Sequence, residues 1–342
     1  MGDRNGTRHE RLAPAPTTAV VAVTGRCNAR CLMCDVWQRP AGAEMSPEAY
    51  RRLPPSLRVV NLTGGEPFLR GDLPEVVAAV REACPRARLI LSTNGLALAR
   101  IRELAPRLAD LDSALAVRVS VDGIGAAHDR LRGVPGAFER ARQSLDLLRG
   151  AGIRDLGLST TLVGDNVDQV EAVYRLAESL GVEFSLTLAS GSPIYYGPGK
   201  GALRPEDAVL AEAVAPVIRA EYRHRRPKRW LRAWFTQRLL DYAATGTRAL
   251  PCDAAAGFFY LDPGGEVYGC HLLPHRLGSL VEDEWAALWN GPAAVQARRE
   301  AAGCHGCWQV CTARTEMRRR LWRVGAQSLW GKLAAHVGHG PV

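Results

Sequence analysis

The fold turns on residues 20–37, VVAVTGRCNARCLMCDVW. Four apolar residues run straight into a polar loop, the pattern of a short buried strand handing over to a functional loop. The loop carries Cys27, Cys31 and Cys34 in the spacing C-x3-C-x2-C. Three thiols suit neither a structural zinc, which takes four ligands, nor a disulfide framework, which takes pairs. An iron–sulfur cube is held by cysteine thiolates, and three of them leave one iron open to a small molecule. A partial zinc site and a ferredoxin-like electron carrier are the alternatives that the spacing leaves standing.

Working outward, the same strand-then-polar-loop unit recurs. Residues 58–62 end in TGGEP, 89–92 in STNG, 115–121 in SVDG, and 182–188 in ASGSP, with 156–163 as a further strand. Between them, residues 72–84, 98–108, 137–148 and 167–180 carry apolar residues at helical spacing, and Gly150, Gly152 and Gly181 act as stop signals. Six strands alternating with helices predict an α/β fold of stacked β-α units around a parallel sheet. Its polar strand ends then share one rim, where the chemistry of such folds gathers.

Past Pro193 the texture changes. SPIYYGPGKG is a Gly- and Pro-rich loop, and two helical stretches follow at 205–224 and 228–244. GFFYLDPGGEVYGC, residues 257–270, reads as a hairpin turning at Asp262 to Gly265. Around it lie Cys252, Cys270, Cys304, Cys307 and Cys311, a second thiol set. The expected organisation is a flexible tail at 1–16, the barrel core at 17–190, a basic, Trp-containing helical linker at 191–250, a small metal-binding domain at 251–312, and a basic amphipathic helix at 313–342. Cys84, beside Pro85 at a helix end, reads as a buried structural cysteine.

Composition sets the outer limits. At 342 residues with 47% hydrophobic content the chain is globular and not disordered. Nine cysteines are too few for a disulfide-built scaffold and are clustered, which points to metal ligation in a reducing cytoplasm. The N-terminal residues lack the apolar core of a signal peptide, and no apolar run is long enough to span a bilayer. The net charge of +9 is concentrated in two places, residues 219–232 and 313–342. RHRRPKRWLRAWF and RRRLWRVGAQSLWGKL interleave Arg and Lys with Trp, a composition suited to an anionic membrane surface at the inner face, to an anionic substrate, to an acidic redox partner, to RNA, or to a solvated helix face. There is no strong nucleic-acid signal.

Taken in order, CNARCLMC, GGEP, STNG, SVDG and HDRLRGVPGAF make the chain resemble the radical S-adenosylmethionine (AdoMet) enzymes from about residue 17 to 188, which implies a partial (β/α)6 TIM-like barrel. The resemblance implies that Cys27, Cys31 and Cys34 hold a 4Fe–4S cluster whose fourth iron chelates AdoMet. It implies that Gly64, Gly65, Glu66 and Pro67 meet the methionine amino group, with Glu66 offering its carboxylate to the ammonium. Asn94, Ser120 and Asp122 are expected to line the AdoMet pocket, and Arg132 to reach the AdoMet carboxylate. The implied chemistry is reductive cleavage of AdoMet to a 5′-deoxyadenosyl radical, driven by an external one-electron donor such as flavodoxin or ferredoxin. That radical takes hydrogen from an unactivated substrate carbon.

The C-terminal set is similar to the extension called SPASM, or to its shorter form, twitch. Five cysteines cannot fill two cubes, so one auxiliary 4Fe–4S cluster is expected, ligated by Cys252, Cys270, Cys304 and Cys307, with Cys311 an alternative ligand or unused. A structural zinc on the same thiolates is the other reading. Tyr195, Tyr196, Asp262 and His271 are candidate substrate contacts. The substrate is expected to be a small metabolite (a sugar, an aminocyclitol or a lipid head group), or a ribosomally made peptide matured by the same chemistry.

Overall fold

In the computed structural model, residues 13–337 are described. Most of the tail expected at 1–16, and the last residues of the helix expected at 313–342, lie outside them. Six parallel strands form the core: β1 (Thr18–Ala22), β2 (Val59–Thr63), β3 (Arg88–Thr93), β4 (Ala116–Ser120), β5 (Asp155–Leu162) and β6 (Glu183–Leu188). They are joined through α1 (Leu73–Ala83), α2 (Leu98–Leu111), α3 (Ala126–Arg132), α4 (Ala137–Gly150) and α5 (Val170–Ser179).

Alternation along each strand explains how the sheet curls around a site. In β3, Leu89 and Leu91 are fully buried against the helices, while Arg88, Ile90 and Ser92 point the other way and stay partly accessible. Burying each leucine contributes about 1.5–3 kcal/mol, and the helices supply the cover through residues such as Val76, Val77, Ile101 and Leu148. The opposite face is polar. Ser120, Ser159 and Ser185 sit in one register row, and Thr161 pairs with Thr187 in the next.

The C-terminal hairpin does not stand apart from this core. After α6 (Asp207–Arg223) and α7 (Pro227–Thr245), β7 (Phe258–Leu261) pairs in parallel with β1, Thr18 opposite Phe258. β8 (Glu266–Tyr268) and β9 (Arg276–Ser279) continue antiparallel, giving the order β6-β5-β4-β3-β2-β1-β7-β8-β9. The sheet is therefore one open, curled sheet and not a closed barrel. Asp262 accepts the Glu266 amide at 2.8 Å and Gly265 takes φ +99°, so the hairpin turn is built by side-chain capping and a left-handed glycine.

α8 (Trp285–Asn290) and α9 (Pro292–Ala302) cover the hairpin. The single basic helix expected at the end is two, α10 (Val310–Arg319) and α11 (Leu321–Val337), separated at Arg320. α10 packs on β1 and β7, while α11 packs on α6 and α7 through Val324, Ser328 and Ala335. The first basic stretch folds inward in part. Arg229 is buried and bound to Glu221 and Glu178, Arg232 to Glu183 and Glu221, and Trp234 packs against Trp308. Arg223, Arg225, Arg226 and Lys228 stay exposed and keep a basic face there. No helix among the described residues is long and apolar enough to cross a membrane.

Candidate active site

The cysteine loop leaves β1 and is gripped from outside. The amides of Arg30 and Leu32 donate to the carbonyls of Arg132 and Leu131 at 2.8 and 2.9 Å. The Asp35 amide donates to Tyr196 at 2.7 Å, and Lys200 joins the Asp35 carboxylate at 2.8 Å. Gly133, in the left-handed region at the end of α3, brings these backbones together. A Cβ there would lie 2.5 Å from the Arg30 carbonyl oxygen. The three sulfurs so placed share one cavity of about 300 Å3 with Gly64, Gly65, Asn94, Ser120 and Arg132.

Burial pushes the Cys27 thiol up to about 12 and the Cys34 thiol up to about 11, and the Cys31 sulfur beside both adds to the effect. Thiolates crowded in this way need a positive charge among them, and a metal bound through sulfur supplies it. Among the described residues no three His, Cys, Asp or Glu side chains are close enough to share one metal ion. Three thiols on one cavity are the donor set that a four-iron cube takes when one iron is left to another ligand.

The GGEP segment acts differently from its expected role. Glu66 is fully buried, and its carboxylate accepts from Thr93 Oγ1 at 2.7 Å, the Asn94 amide at 2.6 Å and the Phe68 amide at 3.1 Å. Three bonds from its own chain hold the carboxylate, so Glu66 ties β2 to β3 and stands behind the cavity wall that Gly64 and Gly65 form. Pro67 is buried behind it. The glycines admit the cysteine loop. A Cβ on Gly65 would stand 2.2 Å from the Arg26 carbonyl oxygen and 2.9 Å from Cys27 Cβ.

Asp122 also stands one layer back from its expected place. It is fully buried and outside the cavity wall, and its Oδ2 pairs with Arg132 at 2.6 Å while its Oδ1 accepts the Thr161 amide. It aims Arg132, whose other terminal nitrogen reaches Cys31 Sγ at 3.6 Å and whose buried Nε lacks a hydrogen-bond partner. Asn94 and Ser120 do line the cavity, Asn94 donating to Asn28 at 2.8 Å.

The second thiol set divides cleanly. Cys252, Cys270, Cys304 and Cys307 line a separate cavity of about 100 Å3, and Cys311 lines the large cavity instead. Backbone amides of Leu272 and Gly306 point at the sulfurs of Cys270 and Cys304 at 3.3 and 3.4 Å, and Arg248 reaches Cys307 Sγ at 3.5 Å. Burial holds Cys270 up to about 12 and Cys252 up to about 11. Donors aimed at four sulfurs around one void fit a second metal–sulfur group. Cys84 is buried, its thiol 3.4 Å from the Pro54 carbonyl.

Of the expected substrate contacts, Tyr195, Tyr196 and His271 reach the large cavity. Tyr195 donates to the Gly64 carbonyl at 3.0 Å, and its ring stacks between Tyr196 and Tyr260. Burial keeps His271 neutral, down to about 4. Asp262 lies outside that cavity and serves the hairpin turn. The cavity wall also includes Asn61, Ser159, Ser185 and Gln309, which motif reading missed, and Cys311, which it had offered as an alternative ligand. The signal of the three strand residues was present as polar residues on the inner strand face.

With this geometry in place, comparison with known proteins is informative. The Radical SAM superfamily model matches residues 21–177, and SPASM, an iron–sulfur cluster-binding domain, matches 252–308. The chain carries a radical SAM domain and, C-terminal to it, a SPASM domain. These domains imply a 4Fe–4S cluster with AdoMet at the first site and auxiliary iron–sulfur binding at the second.

An "AdoMet-dependent heme synthase" of Nitratidesulfovibrio vulgaris is 32% identical over 49% of this chain and 47% of its own, so the chain spans about half the length of that relative. A protein of the same description from Methanosarcina barkeri is 25% identical over 88% of this chain and 89% of its own. The solved structure "Native anSMEcpe with bound AdoMet and Cp18Cys peptide" covers 92% of this chain and 99% of its own, with a TM-score of 0.61 and 14% identity, which supports the fold.

Proposed function

We propose that this chain cleaves AdoMet reductively at Cys27, Cys31 and Cys34 and directs the resulting radical at a substrate carbon held inside the curled sheet. The observation that carries the reading is the single cavity that runs from the three sulfurs, past Asn94 and Arg132, to the serine row on the inner face of the strands. When bound, the cluster with AdoMet supplies one-electron cleavage of the C5′–S bond and a 5′-deoxyadenosyl radical.

The chain's own residues bind, orient and exclude water. Arg132, fixed by Asp122, offers its guanidinium to the AdoMet carboxylate, and Asn94 and the backbone of Gly64 and Gly65 border the same space. Tyr195 and Tyr196 close the side of the cavity nearest the C-terminal domain and keep water from a radical that attacks whatever is nearest. Cys252, Cys270, Cys304 and Cys307 would hold one auxiliary cluster, which would supply an electron acceptor for a two-electron oxidation. A small polar metabolite fits a hydroxyl-lined wall, and the electron donor is an external protein such as flavodoxin or ferredoxin.

The test is anaerobic. Reconstituted protein reduced with dithionite and given AdoMet is expected to release 5′-deoxyadenosine and methionine, and Cys31→Ala to release neither while keeping about four irons per chain at the second site. Intact AdoMet with fully loaded wild-type protein would overturn the reading.

A second reading concerns location, and one surface favours it. α11 leaves Trp322 79% exposed and Trp330 72% exposed, with Leu321, Leu329 and Leu333 beside them and Arg318 and Arg323 nearby. Bulky apolar side chains rimmed by arginine suit peripheral binding to anionic lipid at the inner membrane face. Co-flotation with phosphatidylserine vesicles at low salt, lost in Trp322→Ser/Trp330→Ser, is the expected result. Wild-type protein that stays at the bottom of the gradient removes the idea.

A further inference from the structure

Below the cysteine site the cavity continues between the N-terminal halves of the strands as a space of about 340 Å3, still bordered by Asn61, Ser92, Ser159, Ser185 and Cys311. Its floor is unusually rich in guanidinium groups. Arg88 and Arg118 both converge on Asp155, at 2.5 and 2.7 Å. Gly157 makes room for them, since a Cβ there would stand 2.8 Å from Arg118 Cδ. Opposite, Lys228 and Arg232 are tied to Glu183 at 3.2 and 2.5 Å, and Arg232 also to Glu221. These cations are matched by carboxylates.

Arg314 is not matched. It lies one turn after Cys311 on α10, on the face that lines this space with Val310 and Met317. Among the described residues it has no hydrogen bond and no ion pair. Burial first, and the Arg318 guanidinium next, pull it down to about 10, with Arg88 and Arg118 adding to the effect. It stays cationic at neutral pH all the same. Arg314 is half-buried, and a guanidinium partly withdrawn from water without a counter-charge is one that a bound anion would complete. Three guanidinium groups, Arg88, Arg118 and Arg314, thus border one space, and Asp155 pairs with the first two only.

We propose that Arg314, with Arg118 and Arg88, forms a subsite for an oxyanion group of the substrate, a carboxylate or a phosphate. Only the word substrate rests on the radical AdoMet reading; the anion site itself does not. The bound molecule then lies with its charged end at the floor, its neutral polar body against Ser120, Ser159 and Ser185, and its reacting carbon uppermost, towards the three cysteines. The forked guanidinium suits two-point binding of such a group.

The experiment is calorimetric titration of reconstituted holoprotein with inorganic phosphate and, separately, with acetate, at fixed ionic strength. Wild-type protein is expected to bind one equivalent of at least one probe, and which of the two binds more tightly identifies the group. Arg314→Gln is expected to weaken that binding at least tenfold, and Arg314→Lys by less. Asp155→Asn, which releases Arg88 and Arg118 from their carboxylate, is expected to tighten it. Equal affinity in wild type and Arg314→Gln, or no binding of either probe by wild type, overturns the subsite. Wild-type protein that binds phosphate but leaves AdoMet intact would instead overturn the catalytic reading and uphold the anion site.

Discussion

His128 and Glu66 show what single residues contribute beneath the site. His128 is fully buried on α3, and its Nδ1 accepts the Asp122 amide at 3.0 Å, so it helps set the carboxylate that aims Arg132. Burial, with the Arg132 charge second, lowers it to about 3. The ring is neutral in the folded chain, and below pH 6.5 the unfolded chain takes up a proton that the folded chain refuses. Stability from this residue is therefore present above pH 6.5 and falls by about 1.4 kcal/mol per unit as pH drops towards 3. His128→Asn keeps an acceptor for the Asp122 amide and is expected to remove that slope in urea titrations between pH 4 and 6.5; an unchanged slope contradicts the assignment. At Glu66 a glutamine would turn an amide NH2 towards the donors of Thr93, Asn94 or Phe68. Glu66→Gln is expected to lose about 1–3 kcal/mol, read as a lower urea midpoint; a midpoint equal to wild type would return the carboxylate to ligand duty.

Among the elements, the cysteine loop depends on how closely β2 approaches it. Gly65→Ala forces a methyl group into the Arg26 carbonyl. It is expected to halve the reconstituted iron content by emptying the first site and sparing the second, and full loading would contradict the packing account. This contrast also marks what the sequence revealed. Cys27, Cys31, Cys34 and the strand ends were legible because they recur with the period of the β/α units. The true partners of Glu66 and Asp122 were not, since each is held by amides and hydroxyls from other strands, which linear spacing does not encode. The four-plus-one division of the C-terminal cysteines was legible as a preference, and the helical face shared by Val310, Cys311, Arg314 and Met317 accounts for the cysteine left over. That Arg229 and Arg232 turn inward from the basic stretch at 219–232 was not legible, because their partners Glu178 and Glu183 are distant in sequence.

At the scale of the whole molecule, the parallel pairing of β7 with β1 makes the C-terminal part an extension of the core sheet. Strand pairing together with α10 on β1 and β7 predicts one cooperative thermal transition for the described chain, and two resolved transitions in calorimetry would contradict it. The motifs predicted a small domain beyond residue 250 and gave no hint of that pairing, because a short parallel strand carries no partner label in its sequence. The same sheet carries both thiol sites, one at the end of β1 and one around the hairpin. Its central claim is that the first site keeps one iron open to AdoMet. The most direct measurement is electron paramagnetic resonance of dithionite-reduced Cys304→Ala/Cys307→Ala protein, which isolates the first site, with and without AdoMet. A reduced 4Fe–4S signal that shifts when AdoMet is added is the predicted result; a signal indifferent to AdoMet, or a first site holding zinc and no iron, would contradict it.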